Sequence, residues 1–249
     1  MVVWVFAGGG EAEVGRSQLK FSEVGGLIPF LHKHFPGCTF ERKTPVRQKP
    51  GPKPNKNLAY GKTGQSLIEQ IQKELPIALR GGKCDLILVI DDLDCRNPDE
   101  QKQKFLNAID TVSAATDIEK FVGFAAPELE AWIIADWDKM AKHRDFMGNR
   151  WQRMRWWLSS QKNIDFDHPE SFSEYDAGKD SCRDKLSAAI VEASERIDES
   201  NRNKPRFSKA EHTASLLLEI DASIVQRKCP LFRELYNKLN QFCQTDEKI

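Results

Sequence analysis

Three carboxylates, Asp91, Asp92 and Asp94, follow directly on the apolar run Leu86-Ile87-Leu88-Val89-Ile90. Acids packed this densely repel one another and raise each other's pKa, and a shared divalent cation relieves that repulsion. Aspartates two apart at a strand end, or in the turn after it, can converge on one hard cation. The competing explanation is a helix cap or a solvated turn after a core strand, because acid clusters mark sites only statistically. Glu11 or Glu13, in the loop after the first apolar run, can join Asp92 and Asp94 around Mg²⁺ or Mn²⁺. A centre of that kind polarises a phosphodiester, lowers the pKa of an attacking water and steadies the leaving oxygen.

The same loop invites a different chemistry. Gly10-Glu11-Ala12-Glu13-Val14-Gly15-Arg16-Ser17 nearly fits the phosphate-cradling pattern G-x-x-x-x-G-K-[ST] of nucleotide hydrolases. The fit fails at Arg16, where a slender lysine must reach the phosphates. It fails again at Glu11 and Glu13, which put negative charge inside an anion cradle. The dinucleotide pattern is not met either, since Glu13 stands where its third glycine belongs.

The elements that must position these residues alternate between strand-like and helix-like, as in an α/β layer fold. Residues 2–7 read as the first strand, followed by Gly8-Gly9-Gly10. Leu27 to Phe35 reads as a helix and Thr39 to Arg42 as a short strand. Gln65 to Leu79 is predicted helical, with Leu67, Ile68, Ile71 and Leu75 on one face and Pro76 kinking or ending it early. After the 86–90 strand, Asn97 caps a helix that has Pro98 in its first turn and Asp99 and Glu100 at the positive dipole end. Phe121 to Ala125 is a further buried strand, and Pro127 starts a helix carrying Glu128 through Asp136. Strands one and three of a parallel sheet are often near neighbours, which would bring their C-terminal loops to one place.

Beyond about residue 140 helical signals take over. Ser181 to Ile197 and Ser208 to Leu218 each begin with a plausible cap, and Ser208 with Glu211 has capping-box spacing. A last helix begins at Cys229-Pro230-Leu231-Phe232 and continues through Leu235 and Leu239. The expected organisation is an α/β domain over 1–140, with a mostly parallel sheet flanked by helices, and a helical region over 141–249 packed on it.

Across 249 residues, Lys plus Arg equals Asp plus Glu at 37 each, so no global field recruits nucleic acid and any such partner must be held by local patches. Residues 42–62 form one such patch, with Arg42, Lys43, Arg47, Lys49, Lys53, Lys56 and Lys62 interspersed with prolines. A mobile basic loop of this composition can follow a phosphate backbone, or be a solvated insertion with no partner. The six cysteines are scattered without a CxxC pair, which argues against disulfide scaffolds and zinc ribbons and for reduced thiols in a cytoplasm. No apolar segment is long enough to span a bilayer.

Four segments carry a family likeness: Phe6-Ala7-Gly8-Gly9-Gly10, Ile90-Asp91-Asp92-Leu93-Asp94, Leu129-Glu130-Ala131-Trp132-Ile133-Ile134-Ala135-Asp136, and Phe207-Ser208-Lys209-Ala210-Glu211-His212. Together they resemble the Toprim domains of topoisomerases, primases and overcoming-lysogenization-type nucleases. The nearer likeness is to a Toprim-like prokaryotic family often encoded beside ATPases in phage-defence loci. It spans most of the chain, and its last two segments are the more specific. The resemblance implies a Toprim-like sheet and a metal-dependent nuclease acting on DNA or RNA. Asp92 and Asp94 would be ligands, Asp91 a third acid, Glu11 a ligand or base, Glu130 a site residue, and Lys209 a neighbour of the scissile phosphate. It also implies a toxic effector restrained by an ATPase partner, and leaves room for a homo-oligomer.

One position departs from that family. A glutamate usually precedes its glycine run, as general base or metal ligand, and here Ala7 stands in its place. A silent site, a role passed to Glu11, and an inactivating substitution remain open as explanations. The competing class is a non-catalytic subunit that keeps the fold and grips nucleic acid or a partner through its basic loop. In Arg150-Trp151-Gln152-Arg153-Met154-Arg155-Trp156-Trp157, cations and aromatics mix as on single-strand-binding surfaces. Trp151, Met154 and Leu158 share one helical face, however, so core packing with exposed arginines is the expectation. His32 and His34 face different directions and are not expected to share a metal.

Overall fold

The computed structural model describes residues 1–8, 23–44, 64–197 and 205–244. Glu11, Glu13 and the phosphate-loop-like segment lie outside the described residues, as do Arg47, Lys49, Lys53, Lys56 and Lys62. The chain runs β1 (Val2–Ala7), α1 (Glu23–His34), β2 (Thr39–Thr44), α2 (Gln65–Gly81), β3 (Leu86–Asp92), α3 (Pro98–Asp110), β4 (Glu119–Ala125) and α4 (Glu130–Ala135). It continues through α5 (Arg150–Lys162), the two-residue strands β5 (Tyr175–Asp176) and β6 (Ser181–Cys182), and α6 (Leu186–Arg196). A π-helical turn (Lys209–Thr213), α7 (Ala214–Glu219), α8 (Ala222–Lys228) and α9 (Pro230–Cys243) follow.

Four strands form an all-parallel sheet in the order β2-β1-β3-β4, flanked by helices, with a helical C-terminal region. β1 and β3 are direct neighbours, aligned from Val3 opposite Leu86 to Ala7 opposite Ile90. Near-continuous apolar strands are what a sheet covered on both faces requires. Alternation along each strand divides the interior in two. Val3, Val5, Ala7, Leu86, Leu88 and Ile90 pack with α1, α4 and the helices after residue 140. Trp4, Phe6, Ile87 and Val89 pack against α2 and α3. The C-terminal helices therefore supply much of one layer of the fold. At the contact between α1 and α7, a Cβ on Gly26 would sit 2.6 Å from the Ala214 backbone, so only glycine permits that approach.

Several expectations are corrected. Pro76 neither ends α2 nor is followed by its end, since the helix runs on to Gly81. Burying Leu67, Ile68, Ile71 and Leu75 at about 2 kcal/mol each outweighs the roughly 3 kcal/mol cost of an interior proline. α4 begins at Glu130 rather than Pro127, because the linker's backbone is committed to the acidic turn: Pro127 O accepts from Asp94 N–H at 2.9 Å and Leu129 N–H donates to Asp92. Ser181 and Cys182 form a strand, and α6 starts at Leu186. Arg42 lies in β2, within the strand expected over Thr39 to Arg42, and the strand runs on to Thr44, so Lys43 is a strand residue rather than part of the basic loop; it pairs with Glu41 at 2.9 Å and lies over the Trp4 ring. Met154 and Leu158 are core residues as expected, but Arg150 is buried with them.

The expectation of reduced thiols fails most plainly. Cys38 is disulfide-bonded to Cys243 and Cys95 to Cys182, with Cα atoms 5.5 and 5.0 Å apart. Separations of 205 and 87 residues leave no local pattern to read. Cys84 and Cys229 are the free thiols among the described residues. No helix among the described residues is long and apolar enough to cross a membrane.

Candidate functional site

β3 extends two residues beyond its apolar run, so Asp91 and Asp92 are strand residues on opposite faces of the sheet. They sit where strand order reverses between β1 and β3, the crevice in which open α/β sheets bind ligands.

Asp92 faces the C-terminal layer. Its Oδ1 accepts the Leu129 N–H at 2.9 Å, and its Oδ2 lies 3.7 Å from Lys209 Nζ. The same ammonium is 3.3 Å from Glu130 Oε2, and Thr213 Oγ1 donates to Glu130 Oε1 at 2.9 Å. Glu130 is fully buried, whereas Lys209 remains about a third exposed, so the cluster opens to solvent through its cation. The π turn sends Lys209 and Thr213, four residues apart, to the two oxygens of one carboxylate. Such turns recur at functional sites. Its cause is local: Ser208 does not cap the helix through its hydroxyl, and its N–H donates to His212 Nδ1 at 2.8 Å instead. Ala7 is buried on this same face of the neighbouring strand, opposite Ile90, and its N-terminal neighbours on that face are Val3 and Val5. A glutamate at position 7 would thus project into the layer that holds Asp92.

Asp91 faces the α2 layer. Gly64, with φ of 60°, donates its N–H to Asp91 Oδ2 at 2.7 Å just before α2 begins. A residue with a Cβ would be strained there. Asp91 Oδ1 is sealed from solvent and makes no hydrogen bond of ordinary geometry. Burial pushes the carboxyl up to about 7, the Gly64 hydrogen bond opposes this, and the Asp94 charge adds to it. Asp94 lies in the turn beyond, with Asp94 and Cys95 both left-handed at φ 53° and 60°. Its carboxylate pairs with Lys185, and with Arg96 at 3.3 Å. Arg96 also reaches Asp180 at 3.2 Å. The Cys95–Cys182 bridge holds this turn against the segment bearing Asp180 and Lys185.

Of the expected site residues, the fold brings Asp92, Glu130 and Lys209 into one cluster and Asp91 and Asp94 into an adjoining one. Glu128, which was not among them, accepts from Ser187 N–H at 2.8 Å and Ser187 Oγ at 3.2 Å, closing the first turn of α6. Arg96, Thr213, Asp180 and Lys185 escaped sequence reasoning. Thr213 had a faint signal, four residues after Lys209 on one helical turn, and Arg96 stands two after Asp94. Lys185 had none, being 91 residues from its partner.

The acids offer oxygen alone, the donor type of hard cations, but Asp91 stands on the opposite face of the sheet from Asp92, and among the described residues no three of Asp91, Asp92, Asp94 and Glu130 bring their ligand atoms within 4.8 Å of one another. Asp91 Oδ1 is buried without a hydrogen-bond donor, and Asp92 and Glu130 share the Lys209 ammonium.

No curated protein and no solved structure matches the chain. Residues 28–240, spanning β3 and its acids, the Glu130 helix and the π turn, match the family described as Domain of unknown function (DUF4276), and the chain belongs to that family.

Proposed function

We propose that this chain is a divalent-metal-dependent nuclease hydrolysing phosphodiester bonds of DNA or RNA. The observation that carries the reading is the sharing of one partly exposed ammonium, Lys209, by Asp92 and the fully buried Glu130 at the sheet's switch point. An acid buried this completely is costly unless paired or coordinated, and such clusters concentrate at functional sites. Asp92 and Glu130 would hold Mg²⁺ or Mn²⁺, with Glu11 or Asp94 completing the set. When bound, the ion supplies Lewis acidity and a more acidic water. Leu129 N–H and Thr213 Oγ1 fix the two carboxylates, so their oxygens are oriented before substrate arrives. Lys209 offers its ammonium to a phosphate oxygen, while Arg96 and Lys185 hold Asp94 in place beside it. The likeness to Toprim nucleases adds a setting: an effector in anti-phage defence, held in check by an ATPase partner.

A second reading, a binding subunit without catalysis, is favoured by one specific observation. Ala7 stands on the face of Asp92 where the resembled family has its glutamate. Cleavage assays on single- and double-stranded DNA and RNA with Mg²⁺ and Mn²⁺ separate the two. Ala7→Glu is expected to raise metal-dependent cleavage. Asp92→Asn added to it is expected to reduce kcat/KM by at least about 100-fold, some 3 kcal/mol of transition-state stabilisation. Identical behaviour of the alanine and glutamate forms on every substrate would leave the binding subunit as the better account.

A further inference from the structure

Some way along the chain from the acidic cluster, His143, Asp145 and His212 each offer a ligand atom, and these atoms lie within 4.8 Å of one another. His212 Nε2 is 3.2 Å from Asp145 Oδ2, and His143 Nδ1 is 3.9 Å from that same oxygen. Bonds of about 2.0 Å to a tetrahedral ion place neighbouring ligand atoms roughly 3.3 Å apart, so one of the three edges already has that length, the His143–Asp145 edge must shorten by side-chain rotation, and the third lies within 4.8 Å. We propose that His143, Asp145 and His212 form a Zn²⁺ site that ties the π turn to the 143–146 segment.

The surroundings are those a metal-binding imidazole needs. His212 is buried, its ring stacked on Phe207 and edge-on to Phe146 and His143. Its Nδ1 accepts the Ser208 N–H at 2.8 Å and lies 3.2 Å from Ser208 O. The Ser208 backbone therefore serves either tautomer. Metal binding at Nε2 requires the other neutral tautomer, in which Nε2 gives its proton to solvent, Nδ1 takes one up from solvent and then donates it to the Ser208 carbonyl in place of accepting the Ser208 N–H. Asp145 N–H donates to His143 Nδ1 at 3.3 Å, so that nitrogen is unprotonated, and an ion bound there would replace this long hydrogen bond. Arg150 anchors the backbone by donating to Asp145 O. His143 and Asp145 are 17% and 20% exposed, which leaves an entry path and room for a fourth ligand. Two imidazoles and one carboxylate, with no sulfur, suit Zn²⁺, whereas the all-oxygen set at Asp92 suits Mg²⁺. Arg144, 3.6 Å from Asp145 Oδ1 and well exposed, is the competing cation and can swing away. His212 lies between Lys209 and Thr213 in the π turn, so an ion here would stiffen the turn that aims both at Glu130.

The test is a Zn²⁺ titration of the chelator-treated full chain by calorimetry, with Tm followed in parallel. One equivalent is expected to bind and raise Tm. His143→Ala, a partly exposed position whose loss leaves the core filled, is expected to weaken binding at least about 100-fold and abolish the Tm rise. Asp92→Asn is expected to leave both unchanged, which separates this site from the nuclease reading. Co²⁺ gives a second readout, visible bands from low-coordinate nitrogen and oxygen ligation that vanish in His143→Ala. Absence of a stoichiometric Zn²⁺ site, or titrations of His143→Ala and Asp145→Asn that match the unsubstituted chain, would overturn the proposal.

Discussion

Asp91 and Asp92 are adjacent in the chain, yet the fold gives them neighbourhoods of opposite origin. Asp91 is surrounded from a short stretch of sequence: Gly64 at the start of α2, and Asp94 and Arg96 in the next turn. Asp92 draws its neighbours from two distant segments, the 129–130 linker and the π turn 209–213, and one of them brings a cation. The first face buries its acid and pushes it toward neutrality. The second keeps two carboxylates around one partly solvated ammonium. A sealed carboxyl suits structure, and an open, charge-rich pair suits binding. The lesson is that one side chain's placement on an alternating strand decides its chemistry more than its residue type does.

The largest expected effect tests the long-range origin of the second face. Both disulfides fasten it: Cys38–Cys243 ties the start of β2 to the end of α9, and Cys95–Cys182 ties the acidic turn to the segment before α6. Loop-closure entropy for a 205-residue separation gives up to about 5 kcal/mol. Cys38→Ser is therefore expected to lower the urea midpoint sharply under oxidising conditions and to change nothing under strong reductant. Equal midpoints under oxidising conditions would show that the crosslink does not stabilise this face.

Next comes the first face. The folded Asp91 keeps its proton up to about pH 7, whereas an unfolded aspartate loses it near about pH 3.9. Its contribution to stability is thus full below that lower value and is lost as pH rises toward 7. Asp91→Asn lacks this slope. Metal-free unfolding curves are expected to show the variant gaining on the unsubstituted chain between pH 4 and 8, by about 4 kcal/mol at most. Parallel stability profiles would mean the carboxyl is not held neutral.

Smaller effects sharpen the contrast. Lys209→Met strips the shared cation from Asp92 and the buried Glu130, and is expected to cost about 2 kcal/mol without divalent metal, discounted for the lysine's exposure. Saturating Mg²⁺ is expected to recover part of that loss in thermal melts, and no recovery would argue against metal between these acids. Glu128→Ala removes only the closure of α6, so about 1 kcal/mol is expected, with divalent binding intact. An effect on binding as large as that of Asp92→Asn would place Glu128 in the site.

How much of this was legible in the sequence follows the same division. The parallel α/β sheet, the Asn97 cap accepting from Asp99 and Glu100 N–H, and the α9 stripe of Phe232, Leu235 and Leu239 are periodic or local, and all were readable. Asp92, Glu130 and Lys209 stood out as candidates, but their meeting did not, because 79 residues separate Glu130 from Lys209 and no pattern spans that distance. The apolar run ends at Ile90, so nothing marked Asp91 and Asp92 as strand residues with opposite faces. Ser208 and Glu211 have capping-box spacing, yet the Ser208 N–H is taken by His212, and a π turn results. The disulfides and the Lys185 contact depend wholly on chain return.

Mn²⁺ binding read by electron paramagnetic resonance tests the central claim most directly, with His143→Ala as the common background to silence the second site. The account predicts one tight Mn²⁺ site, lost in Asp92→Asn and in Glu130→Gln and retained in Asp91→Asn. A site that survives Asp92→Asn and disappears in Asp91→Asn would contradict it, placing the metal on the opposite face of the sheet.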